Sequence, residues 1–164
     1  MECIECRGSE ANKESGLCDA CEQKSMRKIN GLLYLPALGL IVTILSFIVG
    51  IYSFILTLFN FFNENAFLSN YFIGILVLLI SGFIISLYAA WLFFRRKKGT
   101  RRAMVIYYIM GLVITLTTTV FPAIAFDMPL NSDSFRELLS GVFSIFVWIP
   151  YFIISKRIDV VFFR

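Results

Sequence analysis

The sequence predicts an all-α membrane protein with four transmembrane helices and a small N-terminal head that carries four cysteines. Apolar residues make up 59% of the 164 residues and charged residues 16%, against roughly 45–50% and 25% in an average soluble domain. Charged residues are missing from four stretches, residues 31–63, 65–94, 103–126 and 138–155. Each stretch is near or above the roughly 18–20 apolar residues that cross a hydrocarbon core about 30 Å thick.

These stretches divide the chain into a head, a neck and a membrane domain. We expect the head at residues 1–22, the basic neck at 23–30 and the membrane domain at 31–164. The spans are expected at about 33–62, 68–94, 103–121 and 135–155. Residues 1–22 lack the basic start and apolar run of a signal peptide, so we expect the head to stay on the mature protein.

Basic residues indicate the orientation of the spans. Most Lys and Arg residues lie before the first span, between the second and third, or after the fourth: Lys24, Arg27, Lys28, Arg95, Arg96, Lys97, Lys98, Arg101, Arg102, Lys156, Arg157 and Arg164. The two other connections are acidic, and Arg136 is the single basic residue in them. By the positive-inside rule we expect the N-terminus, the 95–102 loop and the C-terminus in the cytoplasm.

Local signals predict where the spans begin and end. Pro36 fits the first turn of a helix, where a missing N–H has no intrahelical partner to lose. Residues 63–65 are expected to turn the chain back, and Pro122 to end the third span. Ser134 and Glu137 have the spacing of a capping box, with Ser134 as the N-cap of the fourth span.

The cysteines form a C-x2-C-x11-C-x2-C array of Cys3, Cys6, Cys18 and Cys21. Because cytosol keeps thiols reduced, the predicted topology favours metal ligands over disulfides. Two C-x2-C turns supply a tetrahedral set of soft sulfur ligands that suits zinc and leaves no open coordination position. We therefore predict one structural zinc ion in a zinc-ribbon-like head, with metal binding driving its folding. A rubredoxin-like iron site, a redox-active dithiol and a disulfide are the alternatives.

The charge of the head argues against nucleic-acid binding. Residues 1–22 contain six acidic residues and two basic ones, and four thiolates around one zinc ion would add more negative charge. Nucleic-acid recognition rests on a basic face. We therefore expect no nucleic-acid partner, and a protein-binding or purely structural head remains.

The basic clusters beside the spans have two interpretations. Arg95, Arg96, Lys97, Lys98, Arg101, Arg102, Lys156 and Arg157 fix the topology in the simpler one. In the other, they also bind anionic lipid head groups, each worth about 1 kcal/mol near the surface. We expect topology to be their main role, with lipid contact as an accompanying effect.

Small and polar residues follow a helical rhythm in the first span. The small-residue seam consists of Gly39, Thr43, Ser46, Gly50, Ser53, Thr57 and Asn60. Small residues let helices approach closely in lipid, so we expect a compact four-helix bundle that Gly50→Leu destabilises. The alternative is a pore or ligand path along the seam.

The sequence offers little for catalysis or ion transport. The chain has no histidine, and no ionisable residue is expected clearly at mid-membrane depth, where proton relays need one. No general base accompanies the serines and threonines, so we expect no enzymatic activity. Asp127, Asp133 and Glu137 could meet and hold a cation, although loop and cap roles explain them more simply.

Both ends of the membrane domain resemble a known family. Gly31-Leu-Leu-Tyr-Leu-Pro-Ala-Leu-Gly39 is similar to G-W-L-x-L-P-x-x-G, and Trp148-Ile-Pro-Tyr151 with Ser155-Lys-Arg-Ile158 and Phe162 is similar to W-x-P-Y, S-K-R-V and T-F. These motifs stand at the two ends of the domain in a bacterial family of small four-helix inner-membrane proteins, which is catalogued as a domain of unknown function. The chain differs in lacking the opening Trp and in having Val161 where Thr is usual. The resemblance implies an inner-membrane protein with both termini inside, and it brings no catalytic residue.

Two hypotheses for the function follow. In the first, the protein is a non-enzymatic inner-membrane accessory or scaffold protein whose zinc head docks a protein partner. In the second, it is a lipid- or small-solute-handling protein in which the helix bundle is the working part. Membrane lipids are expected partners in both, together with a protein partner or a second copy of the chain.

Overall fold

The computed structural model describes residues 3, 4, 6, 8, 10, 18–21, 31–65, 70–127, 129–155, 158, 161 and 162. A short 3-10 turn, Gly31–Leu33, leads into α1, Tyr34–Asn65. It is followed by α2, Asn70–Phe94, and α3, Thr100–Thr115. A π-helical segment, Leu116–Val120, joins α3 to α4, Phe121–Ala125, and α5 is Ser132–Ile154. The neck at 23–30, Lys156 and Arg157 lie outside the described residues.

The prediction of four membrane-crossing helices is confirmed by length and composition. They are span 1 (Gly31–Glu64), span 2 (Asn70–Phe94), span 3 (Thr100–Ala125) and span 4 (Ser132–Ile154). A helix satisfies its own backbone hydrogen bonds, which the interior of a bilayer requires. Span 1 packs against span 2, span 2 against span 3, and span 3 against span 4.

The turn between spans 2 and 3 is short and closed by backbone hydrogen bonds. Arg96 has a positive φ of 54°, and the N–H of Lys97 donates to the carbonyl of Leu92 at 3.1 Å. This is the pattern of a Schellman cap. The hydroxyl of the fully buried Thr100 lies 2.7 Å from the carbonyl of Lys97 and 3.0 Å from that of Leu92. Thr100 therefore ties the start of span 3 to the end of span 2.

Span 3 continues past Pro122, where the sequence was expected to end it. The backbone changes to π-helical geometry before this proline, so the N–H of Phe121 donates to the carbonyl of Leu116. In that register Pro122 would face the carbonyl of Thr117, to which it has no N–H to donate. The hydroxyl of Tyr71 donates to this carbonyl instead, at 3.0 Å. A side chain from span 2 thus compensates the proline, and the helix runs on to Ala125.

Two other expected helix ends are corrected. Residues 63–65 belong to α1 and do not form the turn. Asn131 is the N-cap of span 4, because its side chain accepts the N–H of Ser134 at 2.9 Å. The proposed capping box with Ser134 as N-cap is therefore wrong, and span 4 begins earlier than expected. Asn is as good an N-cap as Ser, so spacing to Glu137 alone did not decide between them.

Buried apolar residues concentrate at the end of the bundle that carries the 95–99 turn. They come from every span and from the residues after span 4, and we call them the end cluster: Leu33, Ala37, Leu40, Ala89, Ala90, Leu92, Phe93, Ala103, Met104, Phe152, Ile158, Val161 and Phe162. Phe162 contacts Phe93, with ring centroids 5.1 Å apart. The two terminal motifs of the membrane domain thus meet in one cluster, which accounts physically for the apolar residues in them.

Candidate functional site

The four cysteines come together as the spacing predicts. One sulfur from each of Cys3, Cys6, Cys18 and Cys21 lies within 4.8 Å of all the others. The sulfurs of Cys6 and Cys18 are 3.6 Å apart, well beyond the roughly 2.05 Å of a disulfide. Four sulfurs at about 2.3 Å from one zinc ion would be about 3.8 Å apart, so the arrangement fits a tetrahedral metal site.

The surroundings of the thiols also suit a metal ion. The backbone N–H of Cys18 donates to the sulfur of Cys3 at 3.3 Å, a contact that orients and stabilises a thiolate ligand. The neighbouring Cys18 thiol, burial, and the thiols of Cys6 and Cys3 raise the pKa of Cys21 to about 12. A metal ion that binds Cys21 would therefore have to displace its thiol proton. These residues could hold a metal ion.

The expected cation site of acidic residues is not formed. Within the described part of the chain, the cysteines make the one group of three or more acidic, cysteine or histidine residues with metal-binding proximity. Asp127, Asp133 and Glu137 are described and do not gather in this way.

The structure brings six of the predicted basic residues to one end of the bundle. Arg95, Arg96, Lys97 and Lys98 form the turn between spans 2 and 3, and Arg101 and Arg102 follow in the first turn of span 3. The guanidinium of Arg95 lies 5.6 Å from the centre of the Trp91 ring, within cation–π distance. This basic surface adjoins the end cluster.

A cavity of about 620 Å³ is lined by residues from all four spans. Most of its wall is apolar, and we call it the polar cavity because hydroxyl and charged side chains also line it. Hydroxyl groups from all four spans line it: Thr43 and Ser46 from span 1, Ser86 from span 2, Tyr107 and Thr115 from span 3, and Ser140 and Ser144 from span 4. The volume is within the roughly 300–1,000 Å³ of small-molecule sites. Tyr107 and Tyr108 line the cavity and also pack against the end cluster, which therefore forms its floor.

Arg136 and Glu137 line the same cavity. From the sequence, both residues are expected in the first turn of span 4, Glu137 as a cap residue and Arg136 as the base of an outer connection, whereas the start at Ser132 places them one turn into the span. Sequence reasoning missed this role, and it also missed Tyr107, whose hydroxyl lies 2.8 Å from that of Thr43. The available signal was the pair of opposite charges one turn into a helix that otherwise has long apolar stretches.

A second, more apolar cavity of about 540 Å³ lies farther from the end cluster. Aromatic side chains from spans 1 and 2 and from the residue that follows span 3 dominate its wall: Phe54, Phe61, Tyr71, Phe72 and Phe126. Gly50, Thr118 and Pro122 complete it, so the π-helical segment of span 3 adjoins this cavity.

Three residues of the small-residue seam line cavities, and its glycines do not make the close helix contact that was expected. A Cβ built on Gly39 or Gly50 would have no neighbouring atom within 4 Å. Thr43 and Ser46 face the polar cavity, and Gly50 the aromatic one. The close approach occurs at Gly82, where a Cβ would lie 2.5 Å from Ile114 and 2.9 Å from Phe47. Beside the seam, the side chain of Phe47 from span 1 lies on Gly82 of span 2.

The fold defines a class of small helical protein with four membrane-crossing helices, preceded by a four-cysteine cluster that could bind a metal. Residues 26–163 match the family described as a protein of unknown function, DUF2569. The chain belongs to this family, and the cysteine cluster lies before the matched region. No curated protein and no solved structure matches the chain.

Proposed function

We propose that the protein is a non-enzymatic integral membrane protein whose four spans bind a lipid or small-molecule ligand in the polar cavity. The observation that carries this proposal is the wall of that cavity, which receives a hydroxyl group from every span. A bundle that only had to be stable would fill this space with apolar side chains, since voids cost free energy. The second of the two hypotheses from the sequence is therefore the better supported.

The cysteine cluster is proposed to hold one structural zinc ion. Sulfur distances and a complete set of four thiols favour zinc with no open coordination position. Such a site stabilises the head and supplies no reacting group, which agrees with a non-enzymatic role. When bound, the ion would replace the thiol protons and fix the head.

The membrane and orientation are proposed from charge. The basic turn between spans 2 and 3 supports a cytoplasmic position for that end of the bundle in a bacterial inner membrane. The N- and C-termini then share this side, because the number of spans between each terminus and the turn is even.

Native mass spectrometry from a mild detergent tests the ligand and the metal together. We expect a non-covalent small molecule and one zinc ion on the wild-type chain. Gly141→Leu should lose the small molecule, because Gly141 borders the cavity beside Leu112 and Thr115. Gly39→Leu is the matched control, since it enlarges a glycine that faces open space. A wild-type chain without a ligand, or equal retention by both variants, would contradict the proposal.

A protein-docking scaffold is the second candidate, favoured by a cysteine cluster that precedes the family region as a separate unit. Its partner would be a protein or a second copy of the chain, and the acidic head argues against nucleic acid. In a growth or complementation assay, deleting residues 1–22 would abolish function under this candidate. Gly141→Leu would abolish function under the ligand-binding proposal. The two candidates therefore differ in which of the two variants loses function.

A further inference from the structure

Two opposite charges face the polar cavity from within span 4. Gly141 of this span lies beside Leu112 and Thr115, near the middle of span 3. At a rise of 1.5 Å per residue, Glu137 is about 6 Å and Arg136 about 8 Å from that level along the helix. Half of a hydrocarbon core is about 15 Å. The backbone of both residues therefore lies within the apolar layer, where charged residues usually mark a functional site.

The side chains of Arg136 and Glu137 point in different directions. Neighbouring residues on a helix point about 100° apart and do not face one another. Both nevertheless line the cavity, so it offers a guanidinium donor and a carboxylate acceptor as separate groups. A ligand that matches both carries one negative and one positive group, and such a ligand has no net charge to bring into the membrane.

The hydroxyl groups of the wall show which kind of cation fits. The hydroxyls of Ser86, Thr115 and Ser144 donate to the carbonyls of Gly82, Gly111 and Ser140 in their own helices, at 2.8, 3.1 and 2.8 Å. A hydroxyl that has donated its proton keeps lone pairs that accept hydrogen bonds. The wall therefore presents acceptors to the cavity. Thr115 lies level with Gly141, about 6 Å along the helix axis from Glu137, and suits a cation with N–H donors. A quaternary ammonium has no N–H group and would leave these acceptors without partners.

On the basis of the proposed function, we propose that the ligand is a zwitterion with a primary ammonium group and an oxyanion, with Glu137 binding the ammonium and Arg136 the oxyanion. Such chemistry occurs in the head group of phosphatidylethanolamine and in soluble glycerophosphoethanolamine, which are both phosphodiesters. The hydroxyl of Thr115, which lies level with Gly141, would accept a further hydrogen bond from the ammonium.

The test places the full-length protein in nanodiscs with equal amounts of phosphatidylethanolamine, phosphatidylcholine and phosphatidylglycerol, followed by native mass spectrometry of retained lipid. Wild type should retain about ten times more phosphatidylethanolamine than either of the other two lipids. This ratio corresponds to the free energy of about one hydrogen bond to a charged group. Glu137→Gln should remove the preference over phosphatidylcholine. Arg136→Gln should reduce retention of both zwitterionic lipids. Asp127→Asn, which lies outside the four spans and does not line the polar cavity, is the control and should match wild type.

A parallel arm separates the two sources of the ligand. Glycerophosphoethanolamine, a phosphodiester with no net charge, is titrated into lipid-depleted protein in detergent, and a rise in thermal stability that Glu137→Gln abolishes would identify the soluble zwitterion. Equal retention of the three lipids with no response to glycerophosphoethanolamine would overturn the zwitterion assignment. If another class of lipid is retained and lost in Gly141→Leu, the zwitterion inference fails and the proposed ligand-binding function stands. If nothing is retained, both fail.

Discussion

Replacing Thr100 by Val tests how the turn between spans 2 and 3 is held. The side chain has no exposed surface, and its hydroxyl lies 2.7 Å from the carbonyl of Lys97 and 3.0 Å from that of Leu92. Val keeps the shape and removes the donor. Each carbonyl also accepts a backbone N–H, so the loss is one shared hydrogen bond and part of a desolvation penalty, about 1–2 kcal/mol. That lowers the folding equilibrium constant about 5- to 30-fold.

Thr117→Val is the matched control for this experiment. The hydroxyl of Thr117 is exposed and donates to the carbonyl of Val113 in its own helix at 2.8 Å, so its loss should change stability by less than about 0.5 kcal/mol. Both variants are unfolded in mixed detergent and SDS micelles, with tryptophan fluorescence as the signal. Equal stability of the two variants would refute the role assigned to Thr100.

Three further predictions concern the glycines, the metal and the end cluster. Gly82→Leu should destabilise the bundle by at least about 1–3 kcal/mol through overpacking, whereas Gly50→Leu should not, because it has open space; thermal unfolding in detergent that ranks them the other way would contradict the cavity assignment. Cys18→Ser should lower bound zinc well below one per chain, as measured by elemental analysis, and leave the thermal unfolding of the spans unchanged. Phe162→Ala should cost about 3 kcal/mol, because the ring is 4% exposed and packs on Phe93; an unchanged unfolding midpoint would exclude that contact.

Charge and spacing predict those parts of the structure that depend on neighbours in the sequence. The charge-free stretches identify the four spans because the thickness of a bilayer fixes the length of a crossing helix. The C-x2-C pairs predict the cysteine cluster because a short turn brings two thiols to one point. Helix ends do not follow from neighbouring residues in this way. Asn131 and Ser134 are both good N-caps, and the folded backbone determines which of them caps the helix.

The role of the small-residue seam depends on residues far away in the sequence. Periodicity shows that Thr43, Ser46 and Gly50 share a face of span 1, but not whether a neighbouring helix reaches that face. The contact of span 1 with span 2 at this level includes Phe47, next to the seam, whose ring centroid is 6.4 Å from that of Phe83. The same limit applies to Phe162, whose partner Phe93 lies in another span.

The end cluster closes one end of the helix bundle. Its side chains come from all four spans, and most have almost no exposed surface. A molecule seated above Tyr107 and Tyr108 would have to push this apolar floor apart to reach the basic turn, at a large cost in buried contacts. A ligand would therefore not enter or leave the cavity through this end. A pore that conducts along the axis of the bundle would need this end to open.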